Sequence, residues 1–75
     1  MAKQYVVDAV ADALVAMDVE SVTIDRSRKH HRVLWSDRGG ELKGIITVPA
    51  TPSDRRTLIN CVKMAQRIVR QARGT

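Results

Sequence analysis

The stretch Ser27-Arg28-Lys29-His30-His31-Arg32-Val33-Leu34-Trp35 decides the expected fold. It contains three cations, both histidines of the chain and its only tryptophan. Successive residues of a strand point to opposite faces. The stretch therefore predicts two opposite sets, with His31, Val33 and Trp35 on one face and His30, Arg32 and Leu34 on the other. If the face with the tryptophan is buried, His30 and Arg32 lie together in solvent beside Arg28 and Lys29.

Two more strands are predicted around this one, which itself covers about His30–Ser36. Glu20–Arg26 is rich in β-branched residues that alternate with polar ones. Glu41–Val48 follows a tight turn at residues 37–40, where paired glycines supply the positive φ that a hairpin needs. Gly44 lies inside this third strand and indicates a bulge or a close approach of another group to the backbone.

Amphipathic helices are predicted at both ends of the chain. The first covers residues 3–17, and Asp18 is expected to end it. The second starts at Thr51, an N-cap residue followed by proline, and runs to about Arg73. The apolar stripes are Val6, Val10, Ala13, Leu14 and Met17 in the first helix, and Leu58, Cys61, Val62, Ala65, Ile68, Val69 and Ala72 in the second.

The predicted fold class is therefore α+β in the order α-β-β-β-α, as a single domain over residues 1–75. Three antiparallel strands form a sheet, and two helices pack on one face of it to bury their stripes. The other face is left open and is expected to carry His30, Arg32, Lys43 and Thr47. With no phenylalanine in the chain, the core must be mainly aliphatic.

Charge is unevenly distributed along the chain, whose net charge is +5. Residues 1–25 carry one cation against five carboxylates, whereas residues 26–75 carry twelve cations against three carboxylates. Such segregation within one domain predicts a basic surface for a polyanion and an acidic surface that faces away from it. The plainer alternative is ordinary surface charge with a basic tail.

The predicted nucleic-acid contacts come mainly from the second helix and from the loop before the second strand. The candidate binding residues are Arg28, Lys29, Arg32, Lys43, Arg55, Arg56, Lys63, Arg67 and Arg70. Trp35 is expected in the core and Tyr5 lies in the acidic part, so stacking of bases on aromatic rings is not expected. Recognition of a duplex by shape and phosphates fits better. A solvated helix face is the alternative.

Metal, cofactor and nucleophilic chemistry are not expected. His30 and His31 point apart on a strand, and Cys61 is the single cysteine, so neither a zinc site nor an intrachain disulfide is predicted. The sequence has no Gly-x-Ser-x-Gly motif and no phosphate-binding glycine loop. A lone thiol fits a reducing compartment. With no signal-peptide pattern and no apolar run that could span a bilayer, the expected location is the cytoplasm.

General acid–base catalysis by one histidine is the chemistry that fits. RNA carries its own nucleophile in the 2′-hydroxyl, so a metal-free ribonuclease needs one imidazole and cations that hold the phosphate. His30 with Arg28, Lys29 and Arg32 meets that requirement. The alternative is that His30 is a solvated strand residue and that His31 is a half-buried neighbour of the tryptophan.

The order of elements, the histidine at the start of the second strand and Ile46-Thr47-Val48-Pro49 at the end of the third resemble the HicA-type mRNA interferase toxins. Members of that family typically show Gly-Ser-x-His at this point, and Ser27-Arg28-Lys29-His30 stands there in this chain. The resemblance implies a fold like that of double-stranded-RNA-binding domains, a catalytic role for His30, RNA as the substrate and a protein antitoxin as the partner.

Two other functions are consistent with the sequence. The stretch Thr51–Arg56 is similar to small phage and prophage proteins, which favours a non-catalytic module that binds RNA, DNA or an acidic host protein. A structural subunit that forms homodimers through the open sheet face or an edge strand is the third possibility. No membrane partner is predicted.

Overall fold

Two helices and three strands make up the part of the chain that the structure describes. The computed structural model describes residues 5–26, 29–50 and 55–74. The elements are helix α1 (Val6–Ala16), strands β1 (Ser21–Asp25) and β2 (His30–Asp37), a 3-10 turn (Arg38–Gly40), strand β3 (Leu42–Pro49) and helix α2 (Arg55–Ala72). The predicted α+β class and element order are confirmed. The predicted helix starts, at residue 3 and at residues 51–54, lie outside the described residues.

Strand β2 is central, and both neighbours pair with it in antiparallel fashion in the order β1-β2-β3. Its alternate residues divide as predicted, because Val33 and Trp35 are buried while His30 and Arg32 are exposed. On the buried face, the register places Val33 opposite Ile24 and Ile46, Trp35 opposite Val22 and Gly44, and His31 opposite Val48. A shift of one residue would expose this whole apolar set, so the register is strongly specified.

The core lies between both helices and this one face of the sheet, as predicted. Its buried members are Val6, Val7, Val10 and Leu14 of α1, Val19, Val33 and Trp35, Ile46 and Val48 of β3, and Ala65 and Val69 of α2. Trp35 is 3% exposed and belongs to this core. The other sheet face, which we call the open face, has no helix against it among the described residues.

Gly44 lies against the indole of Trp35. A Cβ atom at Gly44 would come 2.9 Å from the indole Nε1, closer than a real side chain tolerates. The predicted close approach to the backbone is thus confirmed, and the approaching group is the tryptophan.

Helix α2 buries less of its apolar stripe than predicted. Among its described residues Ala65 and Val69 are buried, whereas Ile68 and Ala72 are exposed. Ile68 lies between the buried Ala65 and Val69 along the helix but about 100° from Val69 around it, so it is at the edge of the stripe. Ala72 is the last residue of α2.

Positive φ angles occur in two of the chain reversals, the one after α1 and the one between β2 and β3. Asp18 ends α1 with a φ of 61°, as predicted, and the amide of Val19 donates to the carbonyl of Leu14 at 3.3 Å. Gly39 and Gly40 have φ angles of 66° and 95°, which also confirms the role expected of the paired glycines.

Candidate nucleic-acid interface

The open face holds the histidine that the sequence singles out. Because the helices pack on the face of Val33, His30 and Arg32 point away from the core. In register, His30 lies opposite Pro49, and Arg32 lies between Asp25 and Thr47. Lys29, His30, Arg32 and Thr47 line one hollow of about 480 Å³, which we call the sheet-face site.

The sheet-face site combines an imidazole, two cationic side chains and a hydroxyl. Lys29 and Arg32 are exposed and can form charge-assisted hydrogen bonds to a phosphate. The exposed imidazole of His30 can form hydrogen bonds to a bound group. Thr47 was expected on this face but was not among the candidate site residues, and its hydroxyl adds a further donor and acceptor.

One predicted member, Lys43, does not join this group, and a second, Arg28, lies outside the described residues. Lys43 is on the open face but pairs with Ser36, four residues along β2 from Arg32. At about 3.4 Å per residue this separation is about 14 Å. Arg28 lies outside the described residues, as does Ser27, so the part expected of Arg28 stays a prediction.

Helix α2 carries a second group of cations. Lys63, Gln66, Arg67, Arg70 and Gln71 line another hollow of about 480 Å³, which we call the helix site. Spacings of three and four residues put its cations on one side of the helix, and Arg55 and Arg56 are exposed near the start of the same helix. Sequence reasoning missed the two glutamines, although each lies three or four residues from a cation and so beside it.

The sheet-face site and the helix site lie on different sides of the molecule. The helices cover the face of the sheet opposite His30, and the helix site is on the side of α2 that faces away from the buried Ala65 and Val69. The sequence predicted one basic surface, but the cations are divided between two surfaces, and only one of these includes His30. The alternation of β2 and the packing of α2 separate them, so each site requires its own test.

Arg73 stands apart from the other cations of α2, although it was expected on the same polar face. Its Nε donates a hydrogen bond of 2.8 Å to Oδ2 of Asp37, and this bond lowers the pKa of the Asp37 carboxyl below its usual value of 3.8. Arg38 donates to the carbonyl of Arg73 at 3.4 Å, and the amide of Gly39 donates to the Glu20 carboxylate at 2.9 Å. The two bonds of Arg73 attach the end of α2 to the turn between β2 and β3, and the bond of Glu20 attaches the same turn to the residue before β1.

His31 is the buried counterpart of His30. It is 7% exposed, more deeply buried than the half-buried position expected, and its Nδ1 has no hydrogen-bond partner among the described residues. Its ring centroid lies 6.0 Å from that of Tyr5 at an interplanar angle of 36°. His31 therefore belongs to the core side of the sheet and does not contribute to the sheet-face site.

Comparison of the chain with known protein families, with curated proteins and with solved structures gives no match. The candidate interface is therefore defined by the geometry and charge of its own residues. In the parts of the chain that the structure describes, neither helix combines the length and the apolar character needed to cross a bilayer.

Proposed function

We propose that the chain binds RNA at the sheet-face site and cleaves it with His30 as general base, an activity of the HicA mRNA-interferase type. The observation that supports this proposal is the shared hollow of Lys29, His30, Arg32 and Thr47. A proton acceptor and two phosphate-binding cations are thereby available to one phosphodiester. The proposed place of action is the cytoplasm, and a protein antitoxin is the proposed partner.

The proposed reaction uses the nucleophile of the substrate. His30 takes the proton of the 2′-hydroxyl, the 2′-oxygen forms a bond to phosphorus, and the bond from phosphorus to the 5′-oxygen breaks. Water supplies the proton of the leaving 5′-oxygen, and the imidazolium returns its own proton to solvent. Lys29 and Arg32 stabilise the negative charge that develops on the phosphoryl oxygens.

The test is His30→Ala, assayed for RNA cleavage in vitro and for growth arrest on expression of the chain. We expect cleavage to fall about 100- to 10,000-fold, the range for loss of a general acid–base group. Because His30 is exposed, circular dichroism and the melting temperature should stay unchanged. The matched control is Arg67→Ala at the helix site, which should retain cleavage. An unaltered cleavage rate in His30→Ala would contradict the catalytic proposal.

Binding without catalysis, of nucleic acid or of an acidic host protein, is the second candidate, and the helix site favours it. Three cations and two amides line one hollow there, an arrangement suited to phosphate contacts on a duplex. In this case Lys63→Ala and Arg67→Ala should each reduce the slope of log affinity against log salt by about one. His30→Ala should leave that slope unchanged. The opposite pattern would favour the sheet-face site.

A further inference from the structure

The open face carries a second and more apolar hollow. It has a volume of about 640 Å³ and is lined by Ser21, Thr23, Leu34, Trp35, Ser36, Lys43, Gly44 and Ile45. Leu34 and Ile45 lie opposite each other in register and form its apolar centre. The side chain of Trp35 points to the core and Gly44 has none, so the open face presents only the backbone of these two residues. We call this hollow the apolar hollow.

Ile45 is the feature that calls for an explanation. It is 60% exposed on the face opposite the core, where it has no part in the packing that holds the fold together. Hydroxyl groups surround it, from Ser21, Thr23 and Ser36, and the Lys43 ammonium group borders it. Apolar contact at the centre and hydrogen-bonding groups at the rim are the usual composition of a small-ligand site.

The apolar hollow adjoins the sheet-face site. On the open face, the pair Leu34 and Ile45 follows directly after the pair Arg32 and Thr47, about 7 Å further along the strands. Lys43, paired with Ser36, comes another 7 Å or so beyond. Cations therefore lie on both sides of the apolar centre, at a separation that an extended dinucleotide can bridge.

We infer that the apolar hollow binds one unpaired nucleobase of an RNA strand whose phosphate occupies the sheet-face site, an inference that rests on the proposed function. The base packs on Leu34 and Ile45, its edge meets the surrounding hydroxyls, and Lys43 meets a phosphate further along the strand. An unpaired base can present its face in this way, whereas bases within a duplex are stacked on their neighbours. The substrate is therefore single-stranded at this position, which departs from the duplex expected from the sequence.

Charge and solvation distinguish this occupant from two others. A phosphate over Leu34 and Ile45 would lose hydration without a compensating bond, so the backbone of the strand belongs at the cations instead. A second copy of the chain would bring two faces that carry Lys29, Arg32 and Lys43 against each other, which like charge disfavours.

The test compares two probes by fluorescence anisotropy. One is a short single-stranded RNA with 2′-O-methyl groups, which cannot be cleaved because its nucleophile is blocked, and the other is the same strand without bases. We expect the intact strand to bind about fivefold more tightly, the lower end of the range for a base stacked on an aromatic ring, because Leu34 and Ile45 offer apolar contact without an aromatic face. Ile45→Ser should remove that advantage and leave binding of the base-free strand unchanged. The matched control is Ile59→Ser on α2, also an exposed isoleucine, which should change neither.

Each other outcome contradicts one of the two proposals. If the intact and the base-free strands bind equally well and their binding still depends on Arg32, the apolar hollow does not bind a base. The proposed function is unaffected by that result. Failure of both strands to bind would reject the two together. If Ile45→Ser leaves RNA binding unchanged but abolishes dimerisation in sedimentation experiments, or binding of a glutamate-rich peptide, the hollow is a protein-binding surface and the inference is wrong. Thermal melting of both variants checks that each is folded.

Discussion

The two faces of the sheet are built from neighbouring residues of the same strands, yet different forces act on them. On the core face, Val33 and Trp35 pack against both helices, so their shape and volume matter for stability. On the open face, Arg32 and Ile45 meet solvent, and substitution there leaves the packing intact. Core-face variants should therefore change unfolding, and open-face variants should change binding.

The adjacent histidines make the same contrast within one dipeptide. His30 is exposed beside Lys29 and Arg32, while His31 is buried beside Tyr5. One residue of sequence separates a side chain that is open to solvent from one that is enclosed by the core. Variants at matched positions on the two faces can test how completely these roles are separated.

The largest effect is expected at Gly44, where the core face tolerates no side chain. In Gly44→Ala the new Cβ would lie 2.9 Å from Nε1 and 3.2 Å from Cε2 of the buried and rigid Trp35 indole. Overpacking of this kind outweighs the small entropic gain of alanine, so we expect a loss of about 1–2 kcal/mol in the free energy of unfolding, measured in urea.

The control for Gly44→Ala is Lys43→Ala, the preceding residue on the open face, which should change stability by less than about 0.5 kcal/mol. Trp35→Phe should partly relieve the clash when it is combined with Gly44→Ala, so that the two effects are not additive. If Gly44→Ala were as stable as the parent protein, the close packing of the indole on this strand would be refuted.

The next effect is expected at His31, and it has the opposite sign. Because its buried Nδ1 has no hydrogen-bond partner among the described residues, an apolar side chain of similar size removes an unsatisfied polar atom from the core. We expect His31→Leu to raise the free energy of unfolding by about 1 kcal/mol. His30→Leu is the matched control and should lie within about 0.5 kcal/mol of the parent protein. A clear loss of stability in His31→Leu would indicate that Nδ1 makes a bond to water or to a residue outside the described ranges.

Strand alternation was enough to predict the faces of the sheet. It correctly placed Val33 and Trp35 inside and His30 and Arg32 outside, because each strand has one buried face and a period of two. The glycines were also informative, since positive φ at residues 39 and 40 favours glycine and the close approach of the indole at Gly44 leaves no room for a side chain. These are local constraints, and a local pattern can reveal them.

The relation between distant elements could not be predicted in the same way. The stripe of α2 was expected to be buried throughout, but Ile68 is exposed between the buried Ala65 and Val69, and a helical pattern does not show how wide the contact with the core is. Alternation assigns Leu34 to the open face, but the apolar hollow was not predicted, because only the register shows that Leu34 and Ile45 lie opposite each other. The bond between Arg73 and Asp37 joins residues 36 positions apart, and a helical pattern treats Arg73 as one more exposed cation.

The smallest effect is expected at the end of β2. There the ion pair of Asp37 and Arg73 holds α2 to the sheet, as apolar packing does along the rest of the core face. Asp37→Asn removes the charge that Arg73 contacts. The folded-state pKa of Asp37 lies below 3.8, its usual value, so the ionised carboxylate stabilises the fold above pH 3.8. That stabilisation is lost as the pH falls through the folded-state pKa. The parent protein should therefore be more stable than Asp37→Asn at neutral pH, and thermal melts at successively lower pH should show the difference shrinking below 3.8.

Arg73→Met should give the same pH profile, and combining the two variants should add little to either alone. A difference that stays constant across the whole range would show that the charge of Asp37 does not contribute, and that shape alone fixes the end of α2.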